Sequence, residues 1–412
     1  MKMNRILRTL LMVTLSMALA VGMWGVMPAQ RVAAATCTST GSGNWSNSAT
    51  WSGCDDGVPG AGDDIIIQAG HTVTVDVNAT VNNIMLQGAS SGTRLTLNNG
   101  ITLVVNGTLN SDNSPGVNII SGNGLLKFAG GTRALFGENW GASPRNWNLE
   151  IALESNATGT SSGRNIKAGT IVISSGTFEG VDVHADQGAE NSGSLTVAEG
   201  ATLSATNIQR TGTSNTAIVT NNGTIEIRGT GQIKTNSLIN NGTLKQTQNV
   251  NGSTDVNLFN TGGYGGLTIN ASGSDLGSTV VSIKGNQACD TDNTAVKRCF
   301  DIAPTNATGR NATITFYYDS AELNSLDCTT MNAWHWSGAL PWVQAGTSGT
   351  RQCTTDPYSL QVTGVTTFSP FALRSGAAGP TSVGFVALGG SASLLPIGML
   401  LLAGLVVLRK RK

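Results

Sequence analysis

Histidine is nearly missing from this sequence: there are three, His71, His184 and His335, in 412 residues, and no two are close along the chain. A catalytic triad or a histidine-built metal centre therefore has no local cluster to start from. Cysteine is also sparse, with six, and none falls in the CxxC spacing of a zinc site. Charged residues make up 12% of the chain and aromatics 5%, so a packed interior has to be built from stacked aliphatic side chains. Between Thr36 and Asn260 no amphipathic pattern of helical length occurs. An LPxTG box is missing as well. Leu395-Pro396-Ile397-Gly398 lacks the threonine and lies inside an apolar run, which argues against transfer to a cell wall by a sorting enzyme.

What is present starts with the two ends. Lys2, Arg5 and Arg8 precede an apolar stretch from Leu10 to Met27, and Ala33-Ala34-Ala35 follows as a small-residue exit. Residues 1–35 are thus expected to be a signal peptide, with an uncleaved anchor as the alternative because the apolar stretch is long. Residues 383–408 carry no charge and are followed by Arg409-Lys410-Arg411-Lys412. That order is expected of one transmembrane helix with a basic cytoplasmic tail at 409–412, joined to the body by a Gly/Ala/Pro linker at 376–382. The bulk of the chain is then expected outside the cell membrane as a single-pass protein. The 24 basic and 24 acidic residues balance, but Lys2, Arg5, Arg8, Arg31 and the four tail residues account for eight of the basic ones. The body is left with 16 basic against 24 acidic side chains, which speaks against nucleic acid as a partner.

All six cysteines lie in that expected external part, where disulfides persist. Proximity along the chain favours Cys37 with Cys54, Cys289 with Cys299 and Cys328 with Cys353, out of fifteen formal pairings.

Residues 36–260 are built from short Val/Ile/Leu/Thr strands broken by Asn-Gly, Gly-Thr or Ser-Gly, as in Thr220-Asn-Asn-Gly-Thr-Ile-Glu-Ile-Arg228 and Leu238-Ile-Asn-Asn-Gly-Thr-Leu-Lys245. Gly200, Gly223 and Gly242 recur at a spacing close to one turn of a parallel β-helix. Asn-Gly between alternating strands is also a hairpin signal, so an antiparallel sandwich is the rival reading. The aliphatic composition, the unbroken length and the Asn-Asn pairs at 98–99, 221–222 and 240–241, which suit stacked amide ladders, favour the solenoid. At about 4.8 Å per coil it is expected to form a rod of roughly 50 Å.

A solenoid needs its open end covered. The N-terminal stretch reads Gly43-Asn-Trp45, Trp51, Pro59, Asp63-Asp64-Ile-Ile-Ile67, Gly70-His71 and Thr72-Val-Thr-Val-Asp76. It resembles the opening of the eight-glycine domain of cell-surface proteins and of related bacterial, adhesin-like, right-handed parallel β-helix proteins. The resemblance spans about Gly43 to Leu109 and implies a β-helical surface module with no particular reaction. Residues 261–375 carry longer, more aromatic strands such as Ala312-Thr-Ile-Thr-Phe-Tyr-Tyr318, a pattern expected of a β-sandwich. Arg298-Cys-Phe-Asp-Ile-Ala-Pro304 and Thr366-Thr-Phe-Ser-Pro-Phe371 are similar to strands of the sandwich module that precedes the anchor in bacterial surface proteins.

Candidate chemistry is thin. Gly-x-Ser-x-Gly strings at 88–92 and 159–163 lack the following helix of a nucleophile elbow and read as chance in a chain with 53 glycines. Asp290-Thr-Asp292-Asn293 places oxygen ligands at alternate positions, a candidate calcium site without the glycine and closing glutamate of a calcium loop. Otherwise no cofactor is expected. The acid pairs Asp55-Asp56 and Asp63-Asp64 read first as turn residues. Trp334 and Trp336 flank His335, so alternation puts both indoles on one face, either as core or as a platform for stacking a sugar. Asn-x-Ser/Thr sequons, among them Asn78, Asn106, Asn156, Asn222, Asn241 and Asn306, fit the turn-then-strand grammar.

The expected fold is all-β: a right-handed parallel β-helix, a β-sandwich and one C-terminal transmembrane helix. The expected role is that of a non-enzymatic, membrane-anchored surface protein, structural or adhesive, in contact with envelope or external polysaccharide. The alternative is a polysaccharide lyase, glycoside hydrolase or carbohydrate-binding protein on the same scaffold.

Overall fold

The computed structural model describes residues 34–376 apart from 89–91, 112–119, 137–145, 186–192, 209–216, 290–291, 337, 339–341 and 369. The expected signal peptide and transmembrane helix fall almost wholly outside the described residues. Among the described residues no helix is long and apolar enough to cross a membrane.

The protein is all-β, and its first part is a β-solenoid. The strands alternate buried and partly exposed residues, as in Thr72–Val75, Arg94–Leu97 and Thr102–Val105. Period-two sequences give this result because successive side chains of a strand point to opposite faces. Pairing between coils is parallel throughout, so the Asn-Gly segments are corners of a solenoid and not hairpin turns. Gly223 and Gly242 are needed for a different reason from the one a hairpin would supply. A Cβ on Gly223 would lie 2.2 Å from the carbonyl oxygen of Ala198, and one on Gly242 would lie 2.1 Å from that of Gly223. Glycine lets successive coils touch at this corner.

Leu103, Leu126, Leu149, Ile171, Leu195, Val219 and Leu238 stand in register in one eight-stranded parallel sheet. Each coil therefore takes 22 to 24 residues until the last, which takes 19. This aliphatic row is the spine of the core, and each such side chain contributes about 1.5–3 kcal/mol through burial. A second face runs from Thr36–Ser39 through Asp64–Ile67, Ile84–Leu86 and Leu109–Ser111. The Leu109 to Phe136 bridge joins it to the strands ending at Thr243–Asn251. Nine inter-strand steps at about 4.8 Å give this face a rise of roughly 43 Å.

The N-terminal edge is closed locally. Trp51–Ser52 pairs antiparallel with the first strand, whose other partner, Asp64–Ile67, is parallel. Trp45 and Trp51 pack edge to face at 5.1 Å, with the Trp51 indole N–H donating to the Trp45 carbonyl at 2.9 Å. The Cys37–Cys54 disulfide ties the same segment together, and Cys289–Cys299 and Cys328–Cys353 are the other two bridges. All three pairings are those favoured by proximity.

At the other end the ladder changes direction without a break. Thr243–Asn251 pairs parallel with Thr224–Ile227 on one side and antiparallel with Asp275–Gly285 on the other. The sheet then continues through Arg298–Pro304, Phe371–Ser375, Met331–His335 and Val343–Gln344. A separate five-stranded antiparallel sheet holds Asp255–Leu258, Leu267–Asn270, Ala312–Tyr318, Tyr358–Val365 and Thr347–Gln352. Ile283, Phe300 and Phe371 from the long sheet share a core with Ile269, Ile314 and Phe316 from the short one. Solenoid and antiparallel unit thus have one strand and one core in common.

Candidate functional site

The junction is held by polar groups. The Asn221 side-chain amide donates to Asn240 Oδ1 at 2.8 Å, and Asn240 Nδ2 donates to the Tyr264 hydroxyl at 3.0 Å. Asn241 Nδ2 donates to Asn222 Oδ1 at 2.9 Å, a second amide ladder beside the first. These are the contacts expected of the pairs at 221–222 and 240–241. The Tyr264 ring carries the Arg298 guanidinium 3.9 Å above its centroid. Arg298, 2% exposed, pairs with Glu322 at 2.7 Å and donates to the carbonyls of Gly265 and Tyr317. Burial raises the Tyr264 pKa, with Arg298 opposing the rise.

On the outward side of the same sheet, alternation places Ser282 and Lys284 beside Asp301 and Cys299. The Cys289–Cys299 disulfide lies on this face. There Cys289, Ala295, Trp334, Trp342 and Ala372 form a small second core, with Trp336 packed at its edge. Beside it opens a cleft of about 480 Å³ lined by Thr243, Ser282, Lys284, Asp301, the disulfide, Trp336 and Pro370. This volume suits a small ligand.

Trp334 and Trp336 share the outward face, and His335 points the other way, its ring 6.4 Å from Phe371. Their roles differ. Trp334 is buried in the second core, whereas Trp336 is partly exposed, lines the cleft and is braced by Trp342 at 5.7 Å. Asp301 has an exposed side chain on a recessed strand face. The partial loss of solvent there raises its pKa, and Lys284 pulls it back down.

The other candidate residues have structural surroundings. Asp290 lies outside the described residues. Asp292 Oδ1 accepts from Thr294 Oγ1 at 2.8 Å, and Oδ2 stands 3.3 Å from Arg374 Nε. The cation beside it is thus a side chain of the protein. Asn293 is exposed and its carbonyl accepts from Asn324. Among the described residues no three His, Cys, Asp or Glu side chains gather to hold a metal ion. Asp63 accepts the backbone N–H groups of Ala35 and Gly60, and Asp64 accepts from Asn82 and Asn83. Both brace the first coils. Ser161, centre of the second Gly-x-Ser-x-Gly string, is buried and donates to the Arg164 carbonyl within a turn. Ser90, centre of the first, lies outside the described residues.

Two features were not singled out from sequence alone. The buried Arg298–Glu322 pair joins residues 24 apart, and the cleft takes its lining from stretches of chain as far apart as Thr243 and Pro370. A charged residue opening a run of Cys, Phe and Ile was the one local sign of the former. Compared with protein-family models, curated proteins and solved structures, the chain matches none.

Proposed function

We propose that this protein is a non-enzymatic surface rod, exported by residues 1–35, held at the cell membrane by residues 383–408, and in contact with carbohydrate through the cleft beside Trp336. The solenoid is read as a right-handed parallel β-helix and the antiparallel unit as a β-sandwich mount close to the membrane. The observation that carries the reading is the half-exposed Trp336, braced by Trp342 and faced by Ser282, Lys284, Asp301 and Thr243. An indole face stacks on the apolar face of a sugar, and the surrounding donors and acceptors meet its hydroxyls. Asp301 is the one carboxylate among the described residues of the lining. Glycoside hydrolysis ordinarily uses a pair of carboxylates, so the set favours binding over turnover. Three disulfides suit an oxidising exterior. The continuous ladder makes the solenoid a stiff extension of the unit that carries the cleft.

The test is made on intact cells. Added protease is expected to shave the central region, deletion of 383–412 to release the protein, and Trp336→Ala to abolish retention on immobilised polysaccharide while leaving shaving unchanged. Resistance to shaving, or membrane retention without the last thirty residues, refutes the surface assignment; measurable glycan cleavage refutes the non-enzymatic one.

A further inference from the structure

The cleft does not end at Thr243. That residue also lines a second, polar groove of about 560 Å³ along the solenoid corner, together with Gly200, Asn222, Gly223, Thr224, Asn241 and Gly242. Threonines occupy successive register positions beside this corner: Thr158 pairs with Thr177, Thr177 with Thr202, Thr202 with Thr224, and Thr224 with Thr243. All five are partly exposed, and each follows an alanine or a glycine. The next register position after Thr243 is Lys284, inside the cleft. One row of hydroxyls therefore leads along the rod into the site that holds Trp336.

The rim of the groove is ordered before any ligand arrives. Asn222 and Asn241 are exposed and bonded to each other, and Asn286 donates to Asn241 Oδ1 at 3.4 Å. The floor stays low because Gly223 and Gly242 admit no Cβ. Among the described residues of the groove lining Glu199 is the single charged one, and Lys284 and Asp301 in the cleft have opposite signs. One cation against two carboxylates does not favour a polyanion.

We infer that the corner groove and the cleft form one extended site for a neutral, linear β-linked glycan lying parallel to the solenoid axis. One sugar stacks on Trp336 and successive sugars sit against Thr243, Thr224, Thr202, Thr177 and Thr158. The strand spacing of about 4.8 Å is close to the advance of one pyranose in an extended β-linked chain, so each coil meets one sugar with a threonine hydroxyl, and the coils of Asn222 and Asn241 add an amide. Because rim and floor are held by the fold, binding orders the glycan and little of the protein.

This inference rests on the carbohydrate reading of the cleft, and the test separates the two. The full chain, purified in detergent, is titrated calorimetrically with cello-oligosaccharides of two to eight sugars. Affinity is expected to rise with length and level off at about six, with the hexaose at least about tenfold tighter than the disaccharide, a difference of about 1.4 kcal/mol. Thr202→Glu and, separately, Thr177→Glu put a carboxylate on the outward face without touching the core. Each is expected to cost hexaose affinity several-fold, to leave disaccharide affinity unchanged and to keep the melting temperature. Equal affinity for disaccharide and hexaose, or Glu variants that bind hexaose like the wild type, overturns the extended site and leaves the Trp336 reading standing. Failure of every oligosaccharide to bind overturns both.

Discussion

Replacing Arg298 with alanine strikes the place where solenoid and antiparallel unit are joined. The guanidinium is almost fully buried, paired with Glu322 through Nε at 3.1 Å and Nη2 at 2.7 Å, bonded to two carbonyls and stacked on Tyr264. Removing it leaves Glu322 as a buried charge whose remaining described partner is the Asp319 N–H at 2.8 Å. Breaking one side of a buried pair costs about 3–5 kcal/mol, because the surviving charge stays desolvated without its counter-ion. Replacing both partners removes that penalty. The double variant Arg298→Met/Glu322→Leu gives up the capping bond to Asp319 and strands the carbonyls of Gly265 and Tyr317, at about 1 kcal/mol each. It is nevertheless expected to recover about 2 kcal/mol relative to Arg298→Ala. Urea unfolding followed by tryptophan fluorescence measures both, since Trp334 and Trp342 are buried in the same unit. A cost below about 1 kcal/mol for Arg298→Ala, or a double variant no more stable than the single one, refutes the view that this pair locks the joint.

Gly242→Ala forces a Cβ to within 2.1 Å of the Gly223 oxygen and is expected to cost about 1–3 kcal/mol in urea titration. Gly349→Ala, with its nearest neighbour at 3.5 Å, is expected to stay within about 0.5 kcal/mol. Asn221→Ala deletes bonds to Asn240 and the Thr243 carbonyl at 2.8 and 3.0 Å; a loss of about 1–3 kcal/mol in the same assay is expected because the partners are buried. Burial lowers the His335 pKa below its ordinary 6.5, so the unfolded chain binds a proton that the folded chain resists. Stability from this site is full above pH 6.5 and declines as pH falls toward the lowered value. His335→Gln is expected to flatten part of that slope between about pH 7.5 and about pH 5.5, read as unfolding midpoints; an unchanged slope counts against it.

Much of the architecture follows from local pattern. Period-two runs of Val, Ile and Leu can bury only one face of a strand, and with few aromatics available the rows Leu103 to Leu238 had to stack on copies of themselves. The amide pairs at 221–222 and 240–241 likewise find their partners one coil away, where an identical group stands at strand spacing. Cysteines close in sequence close short loops, which is why all three bridges were legible from spacing.

Tertiary structure alone decided how the two halves meet. Nothing in Thr243–Asn251 marks it as the strand that pairs parallel on one edge and antiparallel on the other, because a strand's hydrogen-bonding groups accept either direction. The difference between Trp334 and Trp336 was equally hidden: alternation gives them the same face, and only the second core assembled there from Cys289, Ala295, Trp342 and Ala372 buries one and leaves the other at the cleft. Strand identity and stacking are properties of a few neighbouring residues; burial, pairing direction and the lining of a site depend on segments far apart in sequence that only folding brings together.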